Sequence, residues 1–474
     1  MKNKQFYSSL GFGLLISSCQ MGVPYEPPMI DVPCEWHSPL SESIQPTSVD
    51  KGLWWESLND PILNCLLERA ALQNIDLQIA ITRILESRRE LKGEKGHIYP
   101  RLDGSAMYGH AQFDKNTVNQ LLGTVSKHAS HNRRNIDFFE LGFDASWEMD
   151  LFGMYAHQQN ALEAKAEATE EEFNNLWVSL SAEVVKNYVD LRGFQERLAL
   201  VEKNIEAQKE TIQLTDSLLE TGFTTTIDRR NADEQLNILG AEKPQLELAI
   251  YKTIHRLSIL LGYAPGALFS ELSQPKALPI LPSQNSIGIP SELLRRRPDI
   301  RKAERELAAA TENVEVAIAA LFPRISLKGF VGDIGAFCSG GSFTWFGGPQ
   351  LLLPIFNSTL LEQDIDLSEI KVQQALFEYQ KTVLEALEET ENAIASYHFE
   401  LERNQYLEKA LNSSQEAYEL SHQLYQKGLK NYLEVLQTNR SYLANQEAYV
   451  QSQIELLFHY ISLYKALGGG FCCP

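Results

Sequence analysis

Phe139-Glu-Leu-Gly-Phe-Asp-Ala-Ser-Trp-Glu-Met-Asp-Leu151 decides the fold class. Phe139, Leu141, Phe143, Ala145, Trp147, Met149 and Leu151 fall on one face of an extended chain; Glu140, Gly142, Asp144, Ser146, Glu148 and Asp150 fall on the other. A clean period of two means a strand with one face against an apolar medium, and the run is long enough to cross a bilayer at the tilt of a membrane barrel. Residues 102–112 supply a partner that alternates less cleanly. Residues 324–333 and 343–353 form a second pair across the Gly-rich Cys338-Ser339-Gly340-Gly341. Four strands cannot close a barrel, and hydrocarbon tolerates no open sheet edge. Copies must therefore share strands: two would give eight, filled by side chains, and three would give twelve, enough for a channel. A soluble amphipathic hairpin on a helical bundle is the competing reading.

Outward from the strands the chain repeats itself. Leu218-Leu219-Glu220-Thr221-Gly222-Phe223 leads through Ile227-Asp228 to Leu260-Leu261-Gly262, and Tyr425-Gln426-Lys427-Gly428-Leu429 leads through Leu433-Glu434 to Ala466-Leu467-Gly468. The glycines stand 40 residues apart in both copies, which are offset by 206. Upstream, Tyr99-Pro100-Arg101-Leu102 is echoed 223 residues later by Phe322-Pro323-Arg324-Ile325. Two repeats of one unit are expected, 61–280 and 281–470, each reading helix, two strands, two long helices. The helical reading is strongest over 358–427. There Leu376, Val383, Tyr397, Leu411, Tyr418 and Tyr425 share one heptad register, with Leu387, Ile394 and Leu401 four residues on.

Composition narrows the function. A net charge of −20 argues against non-specific nucleic-acid binding. No mature segment has the roughly 18 uninterrupted apolar residues of a spanning helix. The six cysteines, Cys19, Cys34, Cys65, Cys338, Cys472 and Cys473, lack metal-ligand spacing. HExxH, GxSxG and phosphate-loop motifs are absent, so no cofactor and no enzyme activity are expected.

At the N-terminus, Lys2 and Lys4 precede an apolar stretch that ends at Ile16-Ser17-Ser18-Cys19. This pattern is a secretory signal over 1–18, and its junction resembles a bacterial lipoprotein site with Cys19 as the lipidated residue. The lipidated segment 19–60 is rich in proline and is expected to lie extended. Trp54-Trp55 is read as packing, and Asp60-Pro61 as the start of the first helix. Residues 471–474 form a tail.

Gly22-Val23-Pro24-Tyr25-Glu26-Pro27-Pro28, Trp54-Trp55 with Asp60-Pro61, Leu293-Leu294-Arg295-Arg296-Arg297-Pro298-Asp299-Ile300, Phe322-Pro323 and Tyr464-Lys465-Ala466-Leu467-Gly468-Gly469-Gly470 stand in order along nearly the whole chain. Together they resemble the TolC-type outer membrane efflux proteins, in the lipoprotein (OprM-like, NodT-type) branch. The resemblance implies a mainly α protein with membrane β: a homotrimer with one twelve-stranded β-barrel, four strands per chain, continued by a long α-helical barrel across the periplasm. It implies an exit duct for drugs or other small solutes, lipid-anchored in the outer membrane. The implied partners are a periplasmic adaptor and an inner membrane pump, chiefly of the resistance-nodulation-division type. Its periplasmic end would close at the repeat turns of Gly222 and Gly428. By motif match, Leu433, Gln437 and Arg440 are the gate residues; Gln437 stands where relatives carry an acid, so Glu434 or Asp228 is expected to pair Arg440 instead. Glu140, Asp144, Glu148 and Asp150 would line the barrel lumen. In Arg295-Arg296-Arg297-Pro298-Asp299 a helix start is favoured over an anion site. A type I secretion duct and a lipid-anchored coiled-coil protein without a pore are the competing functions.

Overall fold

The structure is a computed structural model that describes residues 25–39, 44–45, 53–114, 133–282, 285–286, 288–336, 340–356 and 358–469. The signal segment, Cys19, Cys338, Cys472 and Cys473 lie outside the described residues. After a 3-10 turn at Trp54–Leu58 the main elements are α1 (Pro61–Gln73), α2 (Ile75–Glu94), β2 (Arg101–Asp114), β3 (Arg133–Met149), α3 (Met154–Glu220) and α4 (Thr226–Leu260). A short α5 (Phe269–Leu272) and α6 (Pro290–Arg296) follow. Then come α7 (Pro298–Ala319), β5 (Arg324–Ala336), β6 (Gly340–Leu352), α8 (Ser358–Gln426) and α9 (Tyr432–Ala466). Two-residue strands β1 (Ile44–Gln45) and β4 (Asn285–Ser286) pair in parallel. The order α2-β2-β3-α3-α4 recurs as α7-β5-β6-α8-α9.

The repeat extends to single hydrogen bonds. Gly222, Gly262, Gly428 and Gly468 all adopt positive φ, between 67° and 80°. Each ends a helix in a Schellman turn: Phe223 N donates to Leu218 O (2.9 Å), Tyr263 N to Ser258 O (2.8 Å), Leu429 N to Leu424 O (2.9 Å) and Gly469 N to Tyr464 O (2.9 Å). The following helices, α4 and α9, have 35 residues each and start on side-chain caps, Thr225 and Asn431. These glycines are 40 residues apart because a helix of one length joins two left-handed ends.

The chain divides into two compact units, and neither is a sequence repeat. One takes 25–28, 85–167 and 304–377, the other 29–84, 168–303 and 378–469, so both repeats contribute to both. The first unit holds the antiparallel sheet β2-β3-β5-β6. Directly opposed residues share a face, so register fixes the two faces. Leu102, Phe143, Val331 and Trp345 belong to one face, together with Leu141, Leu327, Phe343 and Leu351, and these large apolar side chains are exposed. On the opposite face Phe330 is 4% exposed, its ring lying over Gly142, where a Cβ would come within 2.6 Å of it. At the helical end of this unit Phe152 and Phe322 stack (4.8 Å), and His157 Nδ1 meets Glu312 Oε2 at 2.7 Å.

In the second unit α1, α3, α4, α8 and α9 close one large core that includes Leu63, Leu66, Val185, Tyr188, Ile254, Leu257, Ile394, Tyr397, Leu457 and Tyr460. Trp54 stacks on Tyr464 (5.6 Å) and Trp55 meets Trp177 edge-on, as expected of packing residues. Asp60 accepts from Ile62 N (2.9 Å), capping α1 ahead of Pro61. The extended segment is strapped down: Trp36 Nε1 donates to Gly288 O (2.9 Å), and His37 N and Ser38 N both donate to the Glu391 carboxylate (2.7 and 2.9 Å).

Candidate functional site

Two regions hold the expected functional residues, one in each unit. In the sheet, Glu140, Asp144 and Glu148 do share the face opposite the apolar belt. Asp150 does not belong with them. Strand β3 ends at Met149, and Asp150 Oδ2 accepts from Ala156 N (2.9 Å), so its charge sits at the start of α3, where orphan N–H groups need an acceptor. The same face also carries basic residues. Asp103 opposes Asp144; Arg101 opposes Ser146, which opposes Lys328; Glu148 opposes Ser326, flanked on β5 by Arg324 and Lys328. Arg101 pairs with Asp103 (2.6 Å). These bases were missed because a strand's parity relative to its neighbours is visible only once register is known.

The second region surrounds the two turns. Ile212, Ala232, Tyr425, Tyr432, Val435 and Leu436 form a small apolar core of their own. Within it Gln208 Nε2 donates to Ala232 O (2.9 Å), and the rings of Tyr425 and Tyr432 lie 5.8 Å apart. Burial pushes the Tyr432 phenol up from its ordinary value. Apolar side chains also stand outside this core: Phe223 is 77% exposed, Ile227 71%, Leu429 69% and Leu433 60%. Phe223 and Leu429 occupy the same place after their glycines, and Ile227 and Leu433 the same place in the following helices, at the 206-residue offset.

Leu433, Gln437 and Arg440 are spaced for one helical face, and all three are exposed. Arg440 is paired otherwise than expected. Its Nη2 lies 3.7 Å from Glu234 Oε1 and its Nε donates to Gln235 Oε1 (3.3 Å), both on α4. Glu434 is engaged by Lys430, one helical turn away. Asp228 closes the capping box of α4, accepting from Thr225 N (3.1 Å) and Thr225 Oγ1 (2.7 Å). Each of those two acids stands in the first turn of its helix, where local partners claim it. Glu234, two turns into α4, is free to reach across.

Arg297 alone of the basic triplet is buried. It donates to Ala466 O through Nη1 (2.9 Å) and to Asp299 and Glu389 through Nη2 (2.6 and 2.8 Å), tying the last turn of α9 to the start of α7. Among the described residues no group of His, Cys, Asp or Glu could hold a metal, and no helix is long and apolar enough to cross a membrane.

Known proteins match this arrangement along nearly its whole length. The chain is 30% identical to nodulation protein T of Rhizobium leguminosarum bv. trifolii over 98% of its own length and 97% of that protein's. It is 27% identical to the solvent efflux pump outer membrane protein SrpC of Pseudomonas putida, covering 97% of each. Its fold superimposes on the outer-membrane channel OprN with a TM-score of 0.85 at 33% identity, over 95% of this chain and 99% of that one. The family model for outer membrane efflux proteins matches residues 66–263 and 289–469. The two matches start 223 residues apart and end 206 apart, the same offsets that the repeat shows. The chain belongs to the outer membrane efflux protein family.

Proposed function

We propose that three copies of this outer membrane efflux channel close one twelve-stranded barrel, through which a periplasmic adaptor and an inner membrane pump of the resistance-nodulation-division type pass drugs or other small solutes. The observation that carries the reading is the sheet: among the described residues it has four strands, one face of large exposed apolar side chains, and edge strands β2 and β6 with a neighbour on one side only. In hydrocarbon that edge must be paired by another copy. The polar face, with Glu140, Asp144 and Glu148, then lines the lumen. Lipidation of Cys19 anchors the N-terminus, and mass spectrometry of the mature N-terminal peptide should find acyl chains on Cys19.

The gate proposal rests on the turn region. Leu433 with Ile227 provides apolar closure, and Arg440 bound to Glu234 holds α9 against α4, with Gln437 on the same exposed face. An exposed pair of this kind contributes little by itself, but it recurs in every copy. Planar bilayers containing the purified, lipidated protein, with its mass measured in detergent, test both proposals. A trimer with discrete channel events is expected, and Arg440→Ala is expected to raise closed-state leak severalfold. A silent monomer would overturn the barrel, whereas unchanged conductance of Arg440→Ala would remove Arg440 from the gate.

A further inference from the structure

The four strand ends that join helices, at Arg101, Met149, Arg324 and Leu352, lie at one end of the sheet. Counted from the helix end along the polar face, Arg101, Arg324, Lys328 and Glu148 come first, Asp103 and Asp144 next, and Glu140 beyond them. Arg101 is held by Asp103. The Tyr155 hydroxyl engages Glu148. Arg324 and Lys328 are exposed and form no ion pair among the described residues.

These two cations face a recess of about 670 Å³ whose wall also includes His97, Tyr99 and Tyr155. The His97 and Tyr155 rings are stacked at 5.9 Å with an interplanar angle of 4°. Arg324 and Lys328 are two residues either side of Ser326, so their Cα atoms are separated by roughly 13 Å at about 3.3 Å per strand residue. The recess therefore offers a guanidinium fork for an oxyanion, a second cation further along the strand and flat aromatic rings in its wall. Cations on a concave surface with low-dielectric walls focus field and concentrate anions.

We infer that this recess is a binding subsite for organic anions that carry an aromatic ring, such as aromatic carboxylates and sulfonates, held by Arg324 and Lys328. The inference rests on the duct reading for its place in transport, since the polar face must be the lumen, but binding itself is measurable without conduction. Purified full-length protein in detergent would be titrated calorimetrically with 2-naphthalenesulfonate and with uncharged 2-naphthol, as wild type, as Arg324→Gln with Lys328→Gln, and as Arg324→Lys with Lys328→Arg. The same sulfonate would be applied to single channels. Expected are saturable sulfonate binding at one site per chain, at least tenfold tighter than naphthol; a tenfold or greater loss in the double glutamine variant; and recovery in the charge-keeping variant. Sulfonate binding no tighter than naphthol, or equal in all three proteins, overturns the subsite. Charge-dependent binding by a protein that never conducts upholds the subsite and removes the duct. Conduction with charge-independent binding removes the subsite and leaves the duct.

Discussion

Arg297 shows how one side chain can be structural while looking like a binding residue. It is 8% exposed, and its donors reach Ala466 O, Asp299 and Glu389. Burial works against its charge, and the Asp299 and Glu389 carboxylates outweigh that cost, so its pKa lies above the ordinary arginine value. Gly468 packs directly on it, a Cβ there meeting Arg297 at 3.1 Å. Removing the guanidinium would leave a buried carbonyl and a half-buried Asp299 without it, at a cost of about 2–3 kcal/mol. Arg297→Ala should lower the thermal midpoint of the detergent-solubilised protein, whereas Arg295→Ala, at an exposed position, should leave it nearly unchanged. Equal shifts would contradict this assignment. The helix start was legible in Pro298-Asp299; which of three adjacent arginines turns inward was not, because it depends on where the preceding helix stops: Arg295 and Arg296 still belong to α6, and Arg297 is the extended residue that follows it.

At the scale of elements, the turns were the most legible feature, since a left-handed helix end favours glycine whatever surrounds it. Gly222 and Gly428 have open space where a Cβ would stand, so alanine there meets only the backbone penalty, about 1–2 kcal/mol. Gly428→Ala and Gly222→Ala should each raise hydrogen exchange at the ends of α8 and α3 respectively, without loss of assembly. Protection unchanged in both would show that the turns tolerate other geometries. The charged face of the sheet was half legible. The clean alternation of β3 displayed its acids, but Arg324 and Lys328 lie on a strand whose parity is set by pairing. Asp150 was misplaced for a related reason: alternation continues through it in sequence, while the backbone has already left the strand for α3.

The strap provides an element-scale prediction with a definite sign. Burial raises the Glu391 pKa, but hydrogen bonds from Ser38 and His37 outweigh it and leave the carboxyl below its ordinary value. A group lowered on folding stabilises above its unfolded pKa, about 4.5, and that contribution is lost as pH falls through the lower folded value. The segment 36–39 should therefore become protease-sensitive on acidification below about pH 4.5, and Glu391→Gln should show that sensitivity at neutral pH. A variant whose strap stays protected at neutral pH would show that Trp36 and the β1–β4 pairing suffice.

The whole molecule is governed by the apolar face, which nothing among the described residues covers. Trp345 is largely exposed on it, in one layer with Val331, Phe143 and Gly104; Thr344, its neighbour in sequence, points to the polar face opposite Gly332. A soluble sheet would bury that belt against helices, and a membrane barrel turns it to lipid. The two adjacent positions separate these cases, since they differ in face and hardly at all in depth. Arginine at a lipid-facing site near the bilayer midplane costs about 2–4 kcal/mol, and a lumen-facing one is solvated by the channel. Trp345→Arg should reduce the amount of trimer recovered from outer membrane fractions and lower its resistance to heat in detergent. Thr344→Arg should assemble normally and change only ion selectivity. If both variants assembled equally well, the belt would not face lipid. If both failed equally, the polar face would be a packed core rather than a lumen, and the organic-anion subsite would lose its access together with the duct.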